Sequence, residues 1–264
     1  MTTAAFGYTA AVWQCRYFWL SLVKKDLRTR YRRSVLGIGW SLLHPIAMTT
    51  VICTVFHKLF EMPVADYGPF LLSGITTWSY LSTTVTQGCE TFYNGESYIR
   101  QYPAPLAVYP LRTVLGAAFH FGLALLVVLL LTWWFRGFAN LTAITSLVPT
   151  LVLYMVLGWS LATLSGLAHV RFSDVKHLLD IGLQIMFYAT PIFFPPDAMK
   201  ERGLAWLIDY NPAAVMLEMI RQPILNGTFP TARAWLAASS ITAVAFTLAV
   251  IALVRLQKRL IFYL

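Results

Sequence analysis

Charged residues are scarce in this sequence. They make up 12% of the 264 residues, whereas 58% are hydrophobic; soluble domains have about 25% charged and about 45–50% apolar residues. A water-soluble fold of this composition would lack the polar surface needed to cover itself. Windows without charge recur at the length of a bilayer crossing, which needs about 20 apolar residues. The sequence therefore indicates an all-α, polytopic membrane protein.

Cysteines and catalytic motifs are also few. The three cysteines, Cys15, Cys53 and Cys89, have neither metal-ligand spacing nor the even number of a disulfide framework. The sequence contains no G-x-S-x-G elbow, no H-E-x-x-H helix and no G-x-x-x-x-G-K-[ST] phosphate loop. We therefore predict no catalytic residue, no metal site and no cofactor in this chain. If ATP drives its function, a separate subunit must hydrolyse it.

Charged residues and prolines divide the chain into six predicted crossings. These are 36–57, 68–89, 112–135, 146–168, 178–195 and 233–255. An even number of crossings puts both termini on one side. With the N-terminus in the cytoplasm, fourteen of the 20 Lys and Arg residues lie on the cytoplasmic side, as the positive-inside rule requires. The excess of cations thus indicates loops beside anionic lipid rather than a nucleic-acid partner.

Segment 10–33 carries an apolar stripe on one helical face. The stripe consists of Trp13, Tyr17, Leu20, Leu27 and Tyr31. A helix with such a stripe and basic residues on its other face is typical of the headgroup plane of a membrane. The alternative is a basic flank that only orients the first crossing. We predict that four residues at the end of the helix form an entrance for an anionic lipid-linked head group. They are Arg30, Tyr31, Arg32 and Arg33.

The loop between the second and third crossings has features of a short docking helix. Asn94 and Gly95 can begin a helix, and Pro103 and Pro105 end it because proline lacks an N–H and disfavours helical geometry in the preceding residue. A rigid, aromatic-bearing helix over 94–104 on the cytoplasmic face suits docking into a partner's groove. The alternative is a structural turn.

Segment 197–228, between the fifth and sixth crossings, is too charged to cross the membrane and too apolar for a free loop. Two short re-entrant helices that dip into the outer leaflet and join near Asn211 and Pro212 satisfy both constraints. The alternative is an external cap that lies on the membrane. Among intramembrane polar residues, Asp180 lies near the start of the fifth crossing, and His120 is typical of a hydrogen-bonded structural residue.

The second crossing is rich in hydroxyl groups. Its Ser and Thr residues are Ser73, Thr76, Thr77, Ser79, Ser82, Thr83, Thr84 and Thr86. They could line a hydrophilic path, but Ser and Thr also bond to their own backbone and allow helices to pack closely. Close packing is our interpretation for most of them.

The order of these features resembles the membrane subunit of bacterial ABC exporters for O-antigen, capsule and teichoic-acid-type polymers. The resemblance spans nearly the whole chain. It rests mainly on the runs RYRRSVLGIGWSLLHP, YIRQYPAPLAVYPLR, YATPIFFPP and NPAAVMLEMIRQPILNG. The chain departs from that family after the fourth crossing, where Ser173 replaces the arginine that often precedes the aspartate.

The resemblance implies a homodimer whose central channel passes a lipid-linked glycan. Two ATP-binding cassette subunits below it would bind ATP and Mg²⁺. The residues implied to couple this chain to the ATPase are Glu96, Ser97, Tyr98, Ile99, Arg100, Gln101 and Tyr102. The residues implied to form the outer gate are Asp197, Trp206, Asn211, Pro212, Glu218 and Arg221.

Aromatic residues make up 15% of the chain. Sugar rings stack their C–H faces on aromatic side chains, and their hydroxyl groups need polar partners. We therefore predict a channel lining of Thr76, Trp78, Tyr80, Thr83, Tyr188, Phe193 and Phe194. The alternative is the ordinary enrichment of aromatic residues at membrane interfaces.

These features predict a polysaccharide export permease in the bacterial inner membrane that has no catalysis of its own. The alternative function is a proton-coupled transporter or a membrane-embedded lipid-glycan enzyme. A coupled transporter needs buried acids along its path, and Asp180 is the candidate in the predicted crossings. The sequence therefore favours the permease.

Overall fold

Within the described residues, all regular secondary structure is helical. A computed structural model describes residues 8, 10–101, 104–196, 199, 203, 205–257 and 260, and no strand occurs among them. The helices are α1 Arg16–Arg30, α2 Trp40–Phe56, α3 Val64–Cys89, α4 Glu96–Gln101, α5 Val108–Arg136, α6 Leu141–Ile144, α7 Leu147–Arg171, α8 Val175–Ala189, α9 Ala205–Asp209, α10 Pro212–Arg221 and α11 Ala232–Leu256. The predicted all-α class is confirmed.

Helix α3 is the centre of the bundle. It is surrounded by α2, α5, α7, α8 and α10, and 18 of its 26 residues are buried. Gly88 and Gly166 let α3 and α7 approach closely, since a Cβ on Gly166 would lie 2.7 Å from the backbone oxygen of Gly88. Hydroxyl groups of Ser73, Thr84 and Thr86 donate to carbonyls of their own helix. Packing against neighbouring helices therefore occupies much of the hydroxyl-rich helix.

Four helical segments of the described chain are long and apolar enough to cross a membrane: Gly37–Phe56, Val108–Arg136, Leu141–Arg171 and Ala232–Leu256. The chain is therefore a multi-pass membrane protein. The predicted crossings 68–89 and 178–195 are not among the four. Helix α3 is long enough but carries many hydroxyl groups, and α8 has 15 residues. The count of six crossings stays a prediction.

Helix α8 ends earlier than the predicted crossing. It stops at Ala189, and Thr190 has extended backbone angles (φ −95°, ψ 139°). The physical reason is Pro191, because a proline disfavours helical geometry in the residue before it. The helix thus ends about two turns before residue 195, and the bounds of this crossing stay a prediction.

The start of the chain also differs from the predicted helix 10–33. Helix α1 ends at Arg30, and the next three residues form a turn in which Arg33 has a positive φ of 64°. Gly37, with a φ of 51°, opens the 3₁₀ turn that leads into α2. Of the predicted apolar stripe, Trp13 and Tyr17 are 65% and 74% exposed.

Asn211 joins the segment predicted to be re-entrant to the end of α8. Its side-chain oxygen caps α10 by accepting from the N–H of Ala213 at 2.9 Å. Its side-chain nitrogen donates to the carbonyl of Ala189 at 3.2 Å and to the hydroxyl of Thr190 at 3.0 Å. The start of α10 is therefore held against the end of α8.

Arg221 fixes the other end of α10. Its guanidinium donates to the carbonyls of Pro191 at 2.6 Å, Ile192 at 3.1 Å and Phe70 at 3.1 Å. It also lies 3.7 Å from the centre of the Phe70 ring. The residue is 8% exposed, and Gly74 leaves the room it needs, since a Cβ there would lie 2.6 Å from the guanidinium. This cation is thus satisfied by backbone dipoles of α3 and of the turn after α8.

Replacing Arg221 by Met should destabilise the fold strongly. The buried carbonyls of Pro191 and Ile192 would lose their guanidinium donors, and each loss costs about 1–3 kcal/mol. Arg221→Lys should be intermediate because an ammonium keeps the charge but lacks the planar fork. Thermal unfolding in detergent measures both.

The matched control is Arg233→Met at the exposed start of α11. It should change stability by less than about 0.5 kcal/mol. Equal losses for Arg221→Met and Arg233→Met would show that the buried contacts contribute nothing.

Candidate functional site

Two cavities follow the groove between α3 and α5. The α1 cavity has a volume of about 490 Å³ and is lined by α1, the end of α3 and the start of α5. The α2 cavity has a volume of about 380 Å³ and is lined by α2, the middle of α3 and α5. Arg30 and His120 line both cavities. These two side chains therefore stand where the cavities meet.

Tyr31 orients the His120 ring. Its hydroxyl lies 3.2 Å from His120 Nδ1, and the two rings meet edge to face with centroids 5.8 Å apart. Tyr31 is half-buried, whereas Arg30 is exposed. Among the residues that the structure describes, Arg30 forms no ion pair.

The acidic residues of the α1 cavity are paired with other cations. Both carboxylate oxygens of Asp26 accept from Arg112 at 2.5 Å, which ties α1 to α5. Glu90 accepts from Lys176 at 2.5 Å, which ties the end of α3 to the start of α8. Arg30 is thus the cation in this cavity whose charge is not neutralised by a described carboxylate.

The predicted head-group entrance is divided by the geometry of α1. Arg30 faces the two cavities. Arg32 instead lines a separate depression together with Lys24, Lys25 and Arg28. We call it the basic depression. Arg33 is exposed in the turn and lines none of the three cavities. The four predicted residues therefore do not form one group.

Helix α4 lies within the segment predicted as the docking helix. Ile99 is buried, and Tyr98 packs against α1, with its hydroxyl accepting from Lys25 Nζ at 3.1 Å and its ring 5.7 Å from Phe18. Glu96 pairs with Arg100 at 2.9 Å along the helix. The exposed residues of the helix are Ser97, Arg100 and Gln101. Tyr102 lies outside the described residues.

Residues before α1 also contact the chain that follows α4. The Tyr8 hydroxyl accepts from the N–H of Ala107 at 3.2 Å, and burial raises the pKa of Tyr8. The Trp159 ring N–H donates to the carbonyl of Ala107 at 3.1 Å, so both polar groups of Ala107 are satisfied.

Two aromatic residues of the predicted channel lining belong to the core. Trp78 is 8% exposed and packs against Phe187. Tyr80 is 3% exposed, and its hydroxyl donates to the carbonyl of Tyr154 at 2.8 Å. Packing inside one chain, rather than an open lumen, explains the position of Trp78. Tyr80 combines such packing with a place in the wall of the α2 cavity.

The other predicted lining residues do not come together at one place. Thr76 and Thr83 line the α2 cavity. Tyr188 is 63% exposed on α8. Phe193 packs edge to face on Phe187 at 4.8 Å, and Phe194 is half-buried in the same turn.

The predicted outer-gate residues have different surroundings. Trp206 is 58% exposed on α9, whereas Asn211 and Arg221 are buried anchors of α10. Pro212 is the first residue of α10, and the Glu218 carboxylate accepts from the Gln222 amide. Asp197 lies outside the described residues.

Sequence reasoning missed the pairing of Asp26 with Arg112 and the place of His120 between two cavities. A lone acid within a run of cations was a signal for the first pair. His120 offered no signal, because its neighbours come from α1 and α2. In the described part of the chain, no group of three or more His, Cys, Asp or Glu residues could hold a metal ion.

Comparison with known proteins gives a family. Residues 17–225 match the ABC-2 type transporter family. The O-antigen export system permease protein RfbA of Klebsiella pneumoniae is 25% identical over 207 residues, which cover 78% of this chain and 80% of the relative. RfbA of Myxococcus xanthus is 25% identical over 236 residues, covering 88% and 90%.

A relative named for polysialic acid transport also matches. The polysialic acid transport protein KpsM of Escherichia coli is 22% identical over 213 residues, which cover 78% of this chain and 81% of the relative. The resemblance drawn from the sequence motifs is thus confirmed. With a family match that extends from residue 17 in α1 to residue 225 after α10, the chain belongs to the ABC-2 type transporters.

Proposed function

We propose that this chain is the membrane permease subunit of an ATP-driven exporter. It would move a lipid-linked polysaccharide of the O-antigen, capsule or teichoic-acid type from the cytoplasmic side across the bacterial inner membrane. The observation that carries the proposal is the family match over residues 17–225, together with relatives named for O-antigen and polysialic acid transport. ATP and Mg²⁺ would be bound by two partner subunits.

The alternative, a proton-coupled transporter, has less support. Its candidate acid, Asp180, is the single acid within the six predicted crossings and lines neither the α1 nor the α2 cavity. A proton path needs an acid that faces a bundle interior or a water-filled cavity. The permease reading needs no such group.

The proposed topology has six crossings and cytoplasmic termini. Helix α3 is about 39 Å long, which exceeds the roughly 30 Å hydrocarbon core. Its hydroxyl groups need not meet lipid because other helices surround it. Helix α8 would cross with the help of the turn 190–194. The excess of Lys and Arg in the loops assigned to the cytoplasm supports this orientation.

The outer gate would be the pair α9 and α10. Helix α10 is anchored by Asn211 and Arg221, whereas no residue of α9 is buried. A gate needs one fixed and one movable part. Trp206, exposed on α9, would belong to the movable part.

Helix α4 would dock into the ATPase. Ile99 and Tyr98 hold it on the permease, while Ser97, Arg100 and Gln101 remain exposed for a partner. The adjacent contacts of Tyr98 with α1 support a role in transmitting movement.

Reversing the charge of Arg100 should weaken docking. We expect Arg100→Glu to lower co-purification of the ATPase subunits at least about fivefold, because an exposed charge at an interface guides association. Export should fall in parallel. Co-purification from membranes and surface glycan staining measure the two effects.

The matched control is Lys58→Glu, which reverses an exposed charge in the loop after α2. It should retain the ATPase and export. If Arg100→Glu also retained both, α4 would be an ordinary turn.

A second copy of the chain would cover α8. Its exposed apolar residues are Leu178, Ile181, Ile185 and Tyr188. Gln184 is exposed beside them, and lipid would leave its amide without a hydrogen-bond partner. A homodimer whose channel runs along α8 provides such partners.

Cysteine cross-linking tests this interface. In a chain whose native cysteines are replaced by Ala, Ile185→Cys should form a disulfide-linked dimer on oxidation. Leu130→Cys, on an exposed face of α5, should stay monomeric because that face would contact lipid. A dimer through Leu130→Cys and none through Ile185→Cys would place the interface on the other side.

A further inference from the structure

We propose that the joined α1 and α2 cavities bind the phosphate end of the lipid carrier together with its first sugar. The ligand class is a lipid diphosphate ester of a sugar, and the binding site lies within one chain. This inference rests on the proposed export function. It adds His120 and Ser79 to the predicted binding residues and separates Arg30 from the other basic residues of α1.

Charge is the first argument. Asp26 and Glu90 in the α1 cavity are paired with Arg112 and Lys176, so Arg30 supplies the unbalanced positive charge where the cavities join. A phosphate oxygen accepts well from a guanidinium, because charge-assisted hydrogen bonds of this kind are short and strong. His120, held by Tyr31, adds a second polar group at the same junction.

The polar groups of the α2 cavity are the second argument. The hydroxyls of Ser79 and Thr83 have no hydrogen-bond partner in the part of the chain that the structure describes, and the buried Thr76 hydroxyl is unpaired as well. The Ser82 hydroxyl donates to the carbonyl of Trp78 at 2.9 Å, which leaves its oxygen free to accept. Thr76 is buried, whereas Thr83 is half-buried and Ser79 is exposed. Buried polar groups are normally hydrogen-bonded. A polyol next to α3 would give Thr76 a partner and would replace water at Ser79 and Thr83.

Aromatic rings are the third argument. Phe121 is stacked on Tyr154 with centroids 5.4 Å apart, and Tyr80 lies 4.9 Å from Phe121. Phe121 and Tyr80 form part of the wall of the α2 cavity, and Tyr154 supports the Phe121 ring from behind. Trp40 lines the same cavity and is 54% exposed. A sugar in the cavity would thus meet aromatic faces as well as hydroxyl groups.

The location of Arg30 is the fourth argument. Arg28 lies about 200° from Arg30 around α1 and lines the basic depression instead of the two cavities. The two cations therefore serve different surroundings. Replacing Arg28 is therefore a matched control, because it removes the same charge from the same helix as replacing Arg30.

The experiment measures binding to the permease purified with its ATPase subunits in nanodiscs. The probes are fluorescent farnesyl diphosphate N-acetylglucosamine and farnesyl diphosphate. Arg30→Gln should weaken binding of both probes by about tenfold, whereas Arg28→Gln should change it by less than about twofold. Equal effects of the two substitutions would overturn the inference.

A second arm separates sugar from phosphate. The double variant Ser79→Ala and Thr83→Val should weaken the sugar-bearing probe by about fivefold because two hydroxyl partners are lost. Binding of farnesyl diphosphate should be unchanged. An equal loss for both probes, or none for either, would overturn the assignment of the α2 cavity to the sugar.

A third arm tests phospholipid as the source of the phosphate. Nanodiscs of phosphatidylethanolamine are compared with nanodiscs that also contain phosphatidylglycerol. Probe affinity should be the same in both. If phosphatidylglycerol displaced the probes from the wild type but not from Arg30→Gln, the cavities would be a site for bulk phospholipid and the inference would fail.

Folding and the parent function are checked separately. Each variant must co-purify with the ATPase and unfold at the wild-type temperature, and Arg30→Lys should restore part of the binding of Arg30→Gln. Absence of glycan export by the wild-type complex would contradict the proposed function. Export by the wild type with unaltered probe binding in Arg30→Gln would contradict this inference alone.

Discussion

The buried contact between Arg221 and three backbone carbonyls is the constraint on which the arrangement of the bundle depends. A charge removed from water must be compensated by hydrogen bonds or by a partner charge. Here the carbonyls of Phe70, Pro191 and Ile192 provide the compensation, so α3, the turn after α8 and α10 must meet at one point. The proline that ends α8 exposes the carbonyls which the guanidinium then uses. The end of α8 and the burial of Arg221 therefore depend on each other.

The central position of α3 follows from its polar composition. A helix rich in hydroxyl groups is costly against lipid but favourable among other helices, where Ser and Thr permit close approach. On the side towards α7, Gly88 and Gly166 allow the two helices to approach closely. On the side towards α2 and α5, Ser79 and Thr83 are not covered by packing. The same composition therefore yields a packed seam on one side and a polar cavity on the other.

Much of the helical framework could be predicted from the sequence because charges delimit segments that must lie in hydrocarbon. The end of α8 could not be taken from charges, since Thr190 and Pro191 are uncharged. The burial of single side chains was harder to predict than the helices. Trp78 has the chemistry of a sugar-binding residue, and its packing on Phe187 in the structure shows that it is a core residue. The different surroundings of Arg28 and Arg30 could have been predicted, because residues two positions apart point to different sides of any α-helix. The junction at His120 required the tertiary structure.

Helix α1 links two regions that the proposed function requires to act together. A helix of 15 residues is about 22 Å long and moves as one body. Lys25 near its middle contacts Tyr98 of α4, and Asp26 on the next position holds Arg112 of α5. Arg30 at its end faces the joined cavities. A displacement of α4 would therefore reach Arg30 through one rigid element, whereas Arg221, at the far end of the α3 contacts, would keep α10 fixed. In the proposed exporter, movement at the ATPase would thereby be coupled to opening towards the carrier without any change in the core of the bundle.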